Sequence, residues 1–139
     1  MATPVYFHSF SEALAEKKHN LGSDTLTLFL TNTAPSTANT VLADITEISY
    51  TNCSTRVVSV TSSSQTGGLY KLVLAEHTLI ATGGPVGPFR YVGLYNDTAT
   101  NDELILYYDY GSEVTMADGQ ALAIPFPAIA GAITLVASS

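Results

Sequence analysis

The sequence predicts a mainly β protein, an antiparallel β-sandwich of jelly-roll-like or Greek-key type, with one N-terminal α-helix. Three observations carry that prediction. Apolar runs of about five to eight residues recur at short intervals, several of them alternating with period two. Gly- and Pro-containing turns separate them. Helical spacing occurs in one place only, near the start. At 139 residues the chain is expected to be a single domain, 1–139, with residues 1–22 as arm and helix and 23–139 as the β-rich body.

The helix is predicted over Ser9 to Asn20. Phe7, Phe10, Leu14 and Leu21 fall at helical spacing, with Ala13 filling the stripe. Ser9 and Glu12 read as a capping box, and Gly22 as the C-terminal stop. Lys17, Lys18 and His19 suit the negative end of the helix dipole. A strand follows, with Leu26, Leu28 and Leu30 on one face, Thr25, Thr27 and Thr31 on the other, and Phe29 among them. Asn32 to Thr40 reads as a loop, Val41 to Ile45 as a short helical turn, and Ile45 to Tyr50 and Arg56 to Thr61 as weaker strands.

Ser62 to Gly68 reads as a polar turn, Leu69 to Ala75 and Thr78 to Ala81 as strands, and Gly83 to Pro88 as a rigid loop. Phe89 to Tyr95 is expected to place Phe89, Tyr91 and Tyr95 on one face and Val92 and Leu94 on the other. Both faces are apolar, so this strand should be central. Leu104 to Tyr110 has the same two-sided character. Gly111-Ser112 is expected to turn the chain into Val114 to Met116, and Asp118-Gly119 to make a hairpin. Ala121 to Phe126 and Ala132 to Val136 close the fold.

Hydrophobic residues are 46% of the chain and charged residues 12%, about half the usual charged share. That composition suits a folded core and a surface buried in part against other copies. The net charge is −7. After Arg90 there is no Lys or Arg, but Asp97, Asp102, Glu103, Asp109, Glu113 and Asp118 follow. Such a balance argues against nucleic-acid partners and against anionic membrane surfaces. Cys53 stands alone, so no internal disulfide is possible. Met1-Ala2-Thr3-Pro4 has no basic, signal-like character, and the longest apolar tract, Ala121 to Val136, is broken by Pro125, Pro127 and Gly131. The expectation is a chain made in the cytoplasm without a signal peptide or membrane helix.

No catalytic, cofactor-binding or metal-binding constellation emerges. His8 and His19 flank the predicted helix about 16 Å apart by helical rise, too far to share one metal, and a helix-end or surface role is expected for each. The Asn96 to Glu103 segment supplies oxygens that calcium favours, but its spacing does not match a calcium loop, and it reads as a solvated turn. Tyr91, Tyr95, Tyr107, Tyr108 and Tyr110 read as core or subunit interface, with a sugar platform as the lesser reading. Val5, Tyr6, Phe7 and Phe10 are apolar and near the chain start, and complete the candidate interface.

Several phrases carry a further likeness: His19-Asn20-Leu21-Gly22-Ser23-Asp24-Thr25-Leu26, Leu30-Thr31-Asn32-Thr33-Ala34-Pro35, Thr40 to Ile48, and Gly87-Pro88-Phe89-Arg90-Tyr91-Val92-Gly93-Leu94-Tyr95-Asn96-Asp97. Together they resemble a family of small structural proteins of tailed-phage virions. The resemblance implies a β-rich virion component without catalysis or cofactor. It further implies partners among copies of itself, a trimer being favoured, and either the major capsid protein or tail proteins. The favoured expectation is a head decoration (cement) protein on the outer capsid. A tail tube, baseplate or fibre-associated piece is the alternative.

Overall fold

The computed structural model describes residues 3–126 and 131–136. It is mainly β, with one α-helix and antiparallel sheets throughout. Strands β1 (Val5–Tyr6), β2 (Leu26–Thr31), β6 (Val86–Asn96) and β7 (Leu104–Met116) form a four-stranded sheet in the order β1-β7-β6-β2. Strands β3 (Val60–Thr66), β4 (Leu69–Leu74) and β9 (Ile133–Val136) form a second sheet in the order β3-β4-β9. Strands β5 (His77–Ile80) and β8 (Ala121–Ile124) pair separately. One cluster joins Leu28, Leu30, Val92 and Leu94 of the first sheet to Leu72, Leu74 and Ile133 of the second, and to Leu79 and Ile124 of the third. The small sheets therefore face the large one across a shared core, the layered arrangement that period-two alternation predicts.

The large sheet is buried on its other face as well. Strand β2 is buried along its whole length. Its even-numbered leucines enter the main core, and Phe29 points the opposite way into a second cluster with Phe7, Tyr95 and Leu104. Leu42, Ile45 and Tyr107 pack around that cluster. Strand β6 lies between β7 and β2, the central place its two apolar faces predict. Phe29 pairs with Gly93 across the β2–β6 ladder. A Cβ at Gly93 would overlap the Phe29 ring, so any larger residue at this ladder position must displace that ring.

Several elements depart from the sequence reading. Helix α1 spans Ser9–Ala15 and not Ser9 to Asn20. Its end is a Schellman-type closure: Lys18 N–H donates to the Ala13 carbonyl at 2.9 Å, Lys17 N–H donates to that of Leu14 at 3.3 Å, and Lys17 sits at φ +67°. Lys17, not Gly22, is the stop. Ser9 is the first helical residue, His8 occupies the N-cap with no side-chain cap bond, and the capping box is not formed. Ser62 to Ser64 lie within β3; only Gly67-Gly68, both at positive φ, make the turn. Phe89 joins Val92 and Leu94 in the main core, not the face of Tyr95, because the β6–β7 register shifts between Phe89 and Tyr91.

Gly111-Ser112 does not reverse the chain. Gly111, at φ +85°, gives its N–H to Asp109 Oδ1 at 2.7 Å and lets β7 bulge and continue. Asp118-Gly119 does turn, but β8 then pairs with β5 instead of folding back on β7. Ile45 to Tyr50 forms no strand beyond one bridge, Thr31 to Glu47. It serves the edge of β2: Ile48 N–H donates to the Leu30 carbonyl and Thr31 Oγ1 to that of Thr46, while the Tyr50 hydroxyl accepts from Leu30 N–H. The 3-10 turn at Leu42–Asp44 matches expectation. Pro127, expected to break the last apolar tract, lies outside the described residues.

Gly93→Ala is expected to cost about 1–3 kcal/mol of stability, the scale of core overpacking. Combining it with Phe29→Leu should recover part of that loss, read as a non-additive double-mutant cycle in denaturant melts.

Candidate functional site

The residues singled out as an interface divide sharply on burial. Phe7 and Tyr95 fill the second core cluster, and Phe10 and Tyr108 the main one. The chain itself covers these four, because the large sheet is packed on both faces. Of the two readings, core or subunit interface, their packing in this chain is that of core residues. Tyr91 and Tyr107 are half-buried and meet edge to face, centroids 6.2 Å apart and planes at 72°. Val5 and Tyr6 remain on the surface, each 36% exposed.

Val5 and Tyr6 have apolar company. A groove of about 410 Å³ runs between the start of the chain, at Tyr6, Phe7 and Phe10, and strand β9, at Thr134 and Leu135. Tyr6 stacks on Phe10 with centroids 5.6 Å apart. Leu135 is 38% exposed and Val136 is 75% exposed. Strands β1 and β9 are each the terminal strand of a sheet, where backbone groups are open to a further strand. Beneath, burial pushes the Tyr108 phenol up to about 12, with Tyr6 adding to the shift.

A second feature was not expected. His19 is 5% exposed and packs against Phe10, centroids 5.4 Å apart. The Schellman closure at Lys17 turns the chain inward, so His19 never reaches the surface its position suggested. It joins a buried polar junction centred on Asn96. The Asn96 carbonyl oxygen accepts from Thr98 and Ala99 N–H at 3.0 and 3.1 Å. Its amide must then donate, to His19 Nδ1 at 3.0 Å and Asp24 Oδ2 at 2.6 Å. That Asp24 oxygen also accepts from Asn20 N–H at 2.7 Å. The junction ties the helix exit to the β6–β7 turn.

Because Asn96 donates to Nδ1, His19 is neutral with its proton on Nε2. Burial pushes its pKa below the ordinary value, against the opposing pull of Glu103 and Asp24; Lys18 adds to the lowering. His19 Nε2 and Glu103 Oε2 are both buried without a hydrogen-bond partner among the described residues. Asn96 is thereby spent on structure. Among the described residues no group of three or more His, Cys, Asp or Glu is placed to hold a metal ion. The turn at 96–103 is tied by this junction to the helix exit.

The sign of the pH effect follows. A folded-state pKa below about 6.5 means the unfolded chain takes up the proton first. The stabilisation is whole above that value and drains away as pH falls through it toward the lower folded value. Denaturant midpoints at about pH 7 and about pH 5 should therefore fall less in His19→Gln than in the parent.

No family model, no curated protein and no solved structure matches the chain.

Proposed function

We propose that the chain is a non-enzymatic structural protein of a tailed-phage virion, a decoration (cement) protein that binds the outer head surface as an oligomer, a trimer being favoured. The observation that carries this reading is the apolar groove where the two ends of the described chain meet, lined by the exposed Tyr6 and Leu135, whose chain neighbours Val5 and Val136 are exposed too. Its occupant is a second copy of the chain. The groove is walled by the terminal strands of two sheets, and a neighbour's strand can extend either one by backbone pairing. Many weakly held copies then gain avidity from the symmetric lattice they sit on.

Two further features support assembly. Charged residues are sparse, at 12% of the chain, so few ionic groups must be desolvated when surfaces meet. The resemblance of the phrases at 19–26 and 87–97 to small virion proteins points to the same role. A sugar-binding platform fits less well, since Tyr95 and Tyr108 are buried and Tyr91 meets Tyr107 edge-on, leaving no flat aromatic shelf.

Sedimentation velocity should show a concentration-dependent oligomer. Tyr6→Asp with Val136→Asp should weaken it by about tenfold or more, as for residues central to an interface, while the melting temperature stays near the parent's. Gold-labelled antibody on intact parent virions should scatter over the heads. Label confined to the tail or its tip would replace decoration with the tail reading. Monomers at all concentrations together with unlabelled particles would remove the assembly reading.

A further inference from the structure

Asn96 holds the segment leaving α1 against the turn after β6, and it can do so in one orientation only. Its carbonyl oxygen is fixed by two backbone donors, Thr98 N–H at 3.0 Å and Ala99 N–H at 3.1 Å. Turning the side-chain amide over would set its NH2 group against those donors. The amide nitrogen therefore faces Asp24 Oδ2 at 2.6 Å, His19 Nδ1 at 3.0 Å and the Lys18 carbonyl at 3.4 Å. Each of these partners has to accept. The carbonyl always does, and Asp24 does while ionised. His19 Nδ1 does so only while the imidazole is neutral.

A proton on His19 removes that acceptor. It adds to the lone pair of Nδ1, while Nε2 keeps the hydrogen it already carries. Two N–H donors, one on Asn96 and one on His19, then oppose each other across 3.0 Å. The bond between them is lost, and the fixed Asn96 carbonyl oxygen cannot take its place. Groups from every neighbouring element act on the imidazole. Burial holds its pKa below the ordinary value, Glu103 in the β6–β7 turn and Asp24 after the helix favour the proton, and Lys18 opposes it. Helix α1 presents the Phe10 ring, and Leu14, Lys17, Ser63 and Tyr70 share with His19 the lining of a cleft of about 590 Å³. The Asn96–His19 bond is thus intact at neutral pH and is lost as pH falls through the lowered folded value.

We propose that His19, Asn96 and Asp24 form a proton-operated latch, closed while His19 is neutral, which frees the segment leaving α1 from the β6–β7 turn when His19 takes up a proton. The opening is local. Thr25 N–H donates to Thr98 Oγ1 at 2.8 Å, and Asp97 N–H to the Thr25 carbonyl at 2.9 Å. Those bonds keep the chain just before β2 on the same turn whatever the state of His19. The consequence reaches the N-terminal arm, because the His19 ring packs on Phe10 and Phe10 stacks on Tyr6. The latch is a property of the single chain and does not rest on the assembly reading.

The test is a nuclear magnetic resonance titration of the intact chain from about pH 7.5 to about pH 4.5. At the upper end the His19 ring nitrogens should report a bare Nδ1 and a protonated Nε2. As His19 titrates, the Thr98 and Ala99 amides and the Phe10 and Tyr6 rings should shift with its midpoint. Hydrogen exchange at Thr98 and Ala99 should speed up by about tenfold or more, as for a local opening, while Leu30 and Leu94 stay protected. His19→Asn offers Asn96 an acceptor oxygen that takes no proton, so these coupled changes should vanish while His8 and His77 still titrate. A protonated Nδ1 at neutral pH, a His19 titration that leaves Thr98 and Ala99 unmoved, or coupled changes that persist in His19→Asn would overturn the proposal. So would loss of protection at Leu30 and Leu94 with the same midpoint, which is global unfolding. Should His19→Asn fail to fold, the tautomer and the exchange pattern of the parent decide it.

Discussion

The contact of the Phe29 ring with the bare backbone of Gly93 is the constraint on which the rest of the structure depends. It lies at a paired position of the β2–β6 ladder, and a side chain there would have to push the Phe29 ring aside. With that space open, the Phe29 ring extends over the Gly93 backbone and packs with Phe7, Tyr95 and Leu104. Phe7 is then anchored, with its N–H donated to the Ile105 carbonyl at 3.2 Å. An anchored Phe7 places Val5 and Tyr6 beside β7 and starts helix α1 two residues later. The order of consequence runs from one missing Cβ to the position of the groove.

A sheet buried on both faces must still protect its edges. The two ends of the large sheet are handled differently. Beyond β2, the irregular chain from 46 to 58 supplies hydrogen bonds in place of a strand. Leu28 N–H donates to the Arg56 carbonyl, Val58 N–H to that of Leu26, and Arg56 Nη1 to that of Leu28 at 2.6 Å. The Arg56 guanidinium also lies over the Tyr50 ring, 3.6 Å from its centroid, a geometry that favours a cation at a partly desolvated face. At the opposite end, β1 is only two residues long. It covers little of β7 and leaves its own outer side open. The asymmetry leaves the open edge at the N-terminal arm and not at β2.

Much of the fold was legible because burial writes period two into a strand. Leu26 to Thr31 and Phe89 to Tyr95 read as two-sided strands and are so. What escaped were positions where backbone geometry overrides side-chain pattern. Lys17 adopts a left-handed φ usually left to glycine, so nothing in its identity marked the helix end. Gly67-Gly68 did carry a signal. Two consecutive glycines at positive φ are the mark of a two-residue hairpin, and that reading makes the serines before them strand. Gly111 was ambiguous in kind, since positive φ serves a bulge as well as a reversal. The candidate interface was half legible for a related reason. Apolar character marks Phe7, Phe10, Tyr95 and Tyr108 as contact-making, but only the layering tells that their partners lie in the same chain.

The polar junction shows why His19 and Glu103 lay beyond sequence reading. Neither sits in a spacing motif; they come near one another because Asn96, at the end of β6, spends its carbonyl oxygen on the following turn and its amide on the segment leaving α1. Once that choice is made, His19 is committed to the neutral tautomer, and its Nε2–H turns inward unmatched. Evolution of an ordinary core would replace such a pair with apolar groups at little cost. Keeping a buried imidazole and a buried carboxylate, each with one unmatched atom, costs stability without improving packing.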